Sequence, residues 1–426
     1  MLKIVTFYIF LIPLIICTIL VPFVSRLSVK IGGIDAPGPR KVHAQGTPRL
    51  GGIAIFASLL FTILFFCKID QQMKGLLTGA IAIFLTGLAD DLTCLTPRQK
   101  FAGQFLAAGL AVFMGGITVQ HLGNPFGLGL LELGPLAAPF TIIAIVGLTN
   151  AINLLDGLDG LAGGTCAIAC VSLAVISYTS GNKTLFPLAI ALLGTLIGFL
   201  RHNNFPAKIF MGDSGSLLLG YCMGTFSIML VSGGALPVSP YVPLLLLWVP
   251  ILDTLAVMFN RMRKGRRLFS PDKTHLHHRL MDLGIGHKYT VLIVFGLTYF
   301  LNIIAILGCR LRSCDDGNLA DTSLLMLLAA TAAALYLILY NLISRKRCDN
   351  VDLSSNQSLR STAAFRWLAR MTDSLAKIIK ALLISILLLP LLIFRVEFTT
   401  IVIVPLLLLI ITAAACYLSK SSWRDA

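Results

Sequence analysis

Five aspartates interrupt otherwise apolar sequence in this 426-residue chain, and their spacing suggests chemistry. Asp156 and Asp159 stand three residues apart in Asn150–Gly164, which reads NAINLLDGLDGLAGG, between the apolar runs Pro139–Leu148 and Thr165–Ile176. A charge at membrane depth costs about a few kcal/mol or more, so it is rarely idle. Asn150 and Asn153 end the preceding run, and the glycines let backbone approach a ligand closely. Asp90 and Asp91 close another run as GLADDL. Adjacent carboxylates repel, which raises one pKa or invites a cation. Downstream, Lys100 and Gln104 share a helical face, and lysine is a good point charge for phosphate. Asp213 sits between Gly212 and Ser214-Gly215 in FPAKIFMGDSGS, at the start of a helical run, with Asn203 ten residues before it as a neutral partner. Such a turn presents N–H groups to an anion, and a carboxylate there is explained by a metal that bridges it to phosphate.

Basic groups accompany these acids. The loop from Arg261 to Lys288 carries five Arg and Lys and then His275, His277, His278 and Arg279. Three histidines in four residues suggest zinc, but no Cys or carboxylate stands at ligand spacing. Hydrogen-bond donation to phosphate or sugar oxygens fits the basic surroundings better. The turn-rich stretch DAPGPRKVHAQGTPRLGG adds Arg40, Lys41, His43 and Arg49, placed to meet a lipid phosphate at the interface.

The elements that must position these groups are apolar. With 57% hydrophobic and 12% charged residues, an ordinary soluble domain is excluded and an all-α polytopic membrane protein is expected. Apolar runs fall at about 4–24, 51–66, 75–89, 101–116, 136–152, 161–179, 184–200, 214–232, 241–259, 290–308, 323–343, 378–394 and 399–418, giving thirteen candidate spans. With the N-terminus outside, 27 of the 34 Lys and Arg fall on inner segments against 7 outside. The net charge of +15 is therefore topological, and nucleic acid is not an expected partner. The same parity gathers Asp90, Asp91, Asp156, Asp159, Asp213 and the histidines at the inner face. The outer acids, Asp321 among them, read as plain polar loop residues. Asp253, inside the ninth run, is expected to pair with an inner-face Arg. The ten Cys form no CxxC pair, and only Cys309 and Cys314, on the outer side, are candidates for a disulfide.

In order and near-spacing, DAPGPRKVHAQGTPRLGG, GLADDL, NAINLLDGLDGLAGG, FPAKIFMGDSGS and HLHHRL resemble the motifs of the polyprenyl-phosphate N-acetylhexosamine-1-phosphate transferase family, over about residues 1–343. The HxHH form and the preceding FSPD look more like the N-acetylglucosamine-1-phosphate (WecA/TagO-type) branch than the phospho-MurNAc-pentapeptide branch. The resemblance implies an integral enzyme of about eleven helices in the bacterial inner membrane, with a cytoplasmic-face site. It would move a sugar 1-phosphate, GlcNAc-1-phosphate first and MurNAc-pentapeptide as alternative, from a UDP-sugar to undecaprenyl phosphate. UMP would leave, in the first membrane step of a cell-envelope polysaccharide such as O-antigen. Mg²⁺, or Mn²⁺ in its place, is the implied cofactor. By the same resemblance Asp90, Asp91 and Asp213 are catalytic, with the metal on Asp213 and Asp91. The resemblance makes Lys100, Asn153, Asp156, Asp159, His275, His277 and His278 substrate-binding, and the residue reading adds Asn203, Arg40, His43 and Arg49 to that set.

Beyond about residue 343 the resemblance ends. Residues 344–377 form a basic segment with Phe365, Leu368 and Leu375 at helical spacing, as in an interfacial helix, and 378–426 read as a transmembrane hairpin. A homodimer is compatible with all of this. A transporter is the reading from another class, but its broken mid-membrane helices and internal repeats are not evident.

Overall fold

Apolar chain in lipid must satisfy its backbone polar groups internally, which leaves helices as the natural element for runs of this length. The computed structural model describes residues 2–35, 46–127, 129–263, 265, 275–312 and 321–334. The helices are α1 (Leu2–Lys30), α2 (Gly52–Phe66), α3 (Gln71–Thr93), α4 (Pro97–Gly109), α5 (Ala137–Leu155), α6 (Leu161–Thr179) and α7 (Leu185–Asn203). They continue with α8 (Gly212–Ser232), α9 (Tyr241–Leu246), α10 (Trp248–Arg263), α11 (Leu276–Asp282), α12 (His287–Arg312) and α13 (Asp321–Ala334). A two-stranded antiparallel ribbon pairs β1 (Ile34–Asp35) with β2 (Thr47–Pro48). Among the described residues, seven helices are long and apolar enough to cross a membrane: α1, α3, α5, α6, α7, α8 and α12. The protein is thus an all-α polytopic membrane protein.

Two expected spans take a different form. The run at 101–116 becomes α4 followed by a π-helical turn, Leu110–Met114. Its start is fixed by a capping box between Thr96 and Gln99, with Pro97 in the first turn. The run at 241–259 breaks between α9 and α10. Pro250 has no N–H for the Leu246 carbonyl four residues before it. Asn302 of α12 donates to that carbonyl instead, at 3.1 Å, so the break is paid for by a neighbouring helix. Asp321 is also not a plain loop residue. It is fully buried, accepts from Asn124 N at 2.9 Å and holds the loop before α5 against α13. The runs at 378–394 and 399–418, the segment 344–377 and Cys314 lie outside the described residues.

The helix α8 is the axis of the bundle. It is enclosed by α2, α3, α5 and α6, and 94% of its most apolar stretch is buried. Small residues allow the close approach: a Cβ added at Gly220 would lie 2.6 Å from Thr149 Cα of α5. Outward-facing side chains such as Phe65 and Phe113 are 70% and 77% exposed, as lipid-facing positions should be.

Candidate active site

The site is built around the first turn of α8. Gly212 has φ +70°, and a Cβ there would meet Arg49 O at 2.1 Å and Asp91 Oδ2 at 2.6 Å, so only glycine fits. Main-chain bonds pin this turn to the segment that joins β2 to α2: Phe210 N to Pro48 O at 2.8 Å, Gly51 N to Phe210 O at 2.9 Å and Gly52 N to Met211 O at 2.8 Å. The free N–H groups of α8 point at α3. Asp213 N donates to Asp91 Oδ1 and Ser214 N to Asp91 Oδ2, both at 2.9 Å. Asp91 is buried and thus caps α8 from another helix. Arg49 belongs to the same knot, its guanidinium donating to the Asp91 carbonyl.

This cap aims Asp213 at two more helices. Its Oδ1 accepts from Lys100 Nζ of α4 at 2.9 Å and from Asn153 Nδ2 of α5 at 2.6 Å. Lys100 also reaches Asp90 Oδ2 at 2.7 Å. The other Asp90 oxygen accepts from Leu95 N at 2.7 Å, which fixes it at the end of α3. Asn153 donates further to Ser216 Oγ at 2.7 Å. One turn away, Gln104 and Asn150 form a reciprocal amide pair: Gln104 Nε2 to Asn150 Oδ1 at 3.2 Å and Asn150 Nδ2 to Gln104 Oε1 at 2.6 Å. Lys100 to Gln104 and Asn153 to Asn150 are each about one helical turn, so the amide pair and the Asp213 contact are successive rungs between α4 and α5.

Beside it lies the loop between α5 and α6. Asp156 ends α5 half-buried, and its carboxylate takes no hydrogen bond from the described residues. Burial first, and then the charges of Asp213, Asp91 and Asp159, push its pKa up to about 7. Asp159 is buried and accepts from Ala207 N at 2.9 Å. Asn203 is buried too, accepting from Gly160 N at 3.1 Å and donating to Ile209 O at 2.8 Å. Both therefore bind the 205–210 loop to the protein's own backbone, and a substrate would meet the surfaces they shape.

The histidines complete the arrangement. His275 Nδ1 pairs with Asp253 Oδ2 at 2.9 Å, and Leu276 N donates to Asp253 Oδ1 at 2.6 Å. Asp253 is thus held by α11, a correction to the expected Arg pairing. His277 is buried over Gly157: a Cβ at that glycine would lie 2.5 Å from His277 Nε2. Burial, followed by the neighbouring His278 ring, pushes its pKa down to about 4 against the pull of Asp253. His277 is therefore neutral at pH 7, and its Nδ1 has no partner among the described residues. The His277 and His278 rings lie 4.3 Å apart. Arg40 and His43 lie outside the described residues.

The structure therefore brings Asp90, Asp91, Lys100, Asn153, Asp156 and Asp213 into one cluster, with the histidine helix against the DGLDG loop. Sequence reasoning missed Ser216, the Gln104–Asn150 pair and the role of Asp253. The i, i+3 spacing of Asn150 and Asn153 was the available signal for the amide rung. Among the described residues no group of three or more His, Cys, Asp or Glu stands arranged to hold a metal ion. Asp213 has 31% of its side chain exposed and Asp90 adjoins it across Lys100, so a divalent cation would have one or two carboxylates here and would take its remaining ligands from substrate oxygens and water.

Comparison with known proteins places the chain among named relatives. The family model described as glycosyl transferase family 4 matches residues 73–231. The chain is 37% identical over 298 residues to a Bacillus subtilis protein named "Probable undecaprenyl-phosphate N-acetylglucosaminyl 1-phosphate transferase", covering 70% of this chain and 83% of that one. It is 30% identical over 294 residues to the undecaprenyl-phosphate alpha-N-acetylglucosaminyl 1-phosphate transferase of Yersinia pestis, covering 68% and 80%. The decaprenyl-phosphate N-acetylglucosaminephosphotransferase of Mycolicibacterium smegmatis is 33% identical over 330 residues, covering 70% and 80%.

Proposed function

The chain belongs to glycosyl transferase family 4, and on that premise we propose that it transfers N-acetylglucosamine 1-phosphate from UDP-N-acetylglucosamine to a polyprenyl phosphate. The observation that carries the reading is the convergence of Lys100 and Asn153 on Asp213 Oδ1 at the capped first turn of α8. This is an electrostatic site at the end of a helix bundle, beside a loop and a histidine helix able to take a sugar nucleotide. An oxygen of the lipid phosphate attacks the sugar-bearing phosphorus. The bond from that phosphorus to the bridging oxygen breaks, and UMP leaves with the electron pair. The lipid phosphate is already largely ionised near neutral pH, so no base is required. Catalysis of this kind is mostly positioning and charge neutralisation.

Each residue has a role on this reading. Lys100 moves some of its charge from Asp90 and Asp213 to the diphosphate. Asn153 and Ser216 hold the Asp213 carboxylate in place. Asp91 positions α8, since both of its oxygens are taken by the first N–H groups of that helix. Asp213, with Asp90 or Asp156, would hold Mg²⁺ or Mn²⁺, which neutralises diphosphate charge when bound. The bias of Lys and Arg toward the inner segments supports a cytoplasmic site in a bacterial inner membrane, serving the first membrane step of an envelope polysaccharide.

The test is UMP release by the purified full chain with UDP-GlcNAc, polyprenyl phosphate and Mg²⁺, set beside UDP-MurNAc-pentapeptide as donor. UMP from UDP-GlcNAc, abolished by EDTA, is the expected result. UMP released only from the MurNAc donor, or no UMP from either, overturns the reading.

A further inference from the structure

Asp253 is a carboxylate that the transfer chemistry does not use. It lies in α10, its side chain 5% exposed, beside His275 at 6%. We propose that Asp253 is a positioning residue: it orients His275 and seats the histidine helix on the DGLDG loop, so it sets donor affinity without touching the donor. The proposal rests on α11 being a donor-side element.

Two bonds carry it. Asp253 Oδ2 engages His275 Nδ1 at 2.9 Å, which leaves only Nε2 of that ring for a ligand. Asp253 Oδ1 accepts from Leu276 N at 2.6 Å. Leu276 is the first residue of α11, and the N-cap residue, His275, gives no side-chain cap of its own. The cap is thus supplied by α10. A helix of seven residues has little stability alone, so its seat is decided by such anchors. From that seat His277 reaches Gly157, between Asp156 and Leu158, with room for no Cβ on the glycine. The chain of contacts runs from Asp253 through α11 to the loop that carries the crowded Asp156. A buried carboxylate is tolerated when its oxygens are partnered, and both are partnered here by α11.

The test compares wild type, D253N, H275A and D253N/H275A as full chains in detergent micelles. D253N should raise KM for UDP-GlcNAc about 10–100-fold, taking as scale the cost of losing the partner that orients a metal-binding histidine. KM for polyprenyl phosphate should stay at its wild-type value. The loss in the double variant should be smaller than the sum of the two single losses, because the bond to His275 is common to both. Amide exchange over residues 276–283 should quicken in D253N, a readout independent of turnover. Additive losses in the double variant, a parallel rise of both KM values, or unchanged exchange each overturn the proposal. Quickened exchange in a chain that releases no UMP keeps the seat and removes the transfer reading instead. Where D253N fails to insert, D253N/H275Q supplies a neutral pair. It should insert, and its loss beyond H275Q should be smaller than the loss D253N alone would add; a full additive loss again overturns the assignment.

Discussion

Asp213 is the residue on which three helices agree, and its substitution separates charge from shape. Asp213→Asn keeps the volume but offers a hard cation a poorer oxygen, and it leaves Lys100 facing an amide. Losing one preorganised electrostatic contact costs about 10²–10³ in rate, and UMP release should fall by at least that much with the membrane fold intact. Wild-type turnover at ordinary Mg²⁺ would remove Asp213 from the centre of the site. Asp156 makes a pH prediction. Its folded pKa of about 7 lies above the ordinary 3.8, so well below pH 3.8 it is protonated in both states and leaves the fold undisturbed. As pH rises toward 7 the unfolded chain ionises first and binds fewer protons, so stability falls. The melting temperature of wild type should therefore drop below that of Asp156→Asn between pH 4 and 7 in metal-free buffer. Mg²⁺ should narrow the gap, and a gap that does not change with pH would show that the carboxylate is not crowded.

At the scale of elements, the spacing of α4 and α5 decides whether Lys100 and Asn153 can share one oxygen. The Gln104–Asn150 pair is the rung next to that contact, and Gln104 is 2% exposed. Gln104→Leu removes the rung at similar volume and leaves a polar partner short of a bond, at about 1–3 kcal/mol. A small misplacement at a reacting centre can cost about 10²-fold in rate. Gln104→Leu should accordingly lower kcat by about tenfold or more while UDP-GlcNAc still binds, as equilibrium binding of the donor would report. Undiminished kcat would mean that α8 alone sets the spacing.

For the whole molecule, the acids, the lysine and the histidines come from helix ends and loops at one face of the bundle, while the lipid-facing surface carries apolar side chains. Residues beyond 344 bring none of these motifs. Truncation after Ser344 should leave transferase activity in a chain that still inserts. Loss of turnover with normal insertion and donor binding would assign the extension a part in catalysis.

The sequence by itself determined the class and most of the described helical runs, because lipid admits little besides helices, and the bias of Lys and Arg pointed to one face for the motifs. It also gave the acids worth watching, since ionised groups at membrane depth need partners. It did not determine the partners. Asp91 reads as a metal ligand beside Asp90, yet successive residues on a helix point about 100° apart, and that turns Asp91 to the α8 N–H groups and Asp90 to Lys100. Asp159 and Asn203 read as ligands, and burial gives their polar atoms to the protein's own backbone. Asp253 reads as a stray charge that wants an arginine, and its donor partners come from the start of a helix some 22 residues on. Such pairings depend on which helix faces which across the bundle, and that is settled by packing around α8, where close approach of small residues such as Gly220 fixes each helix against the next.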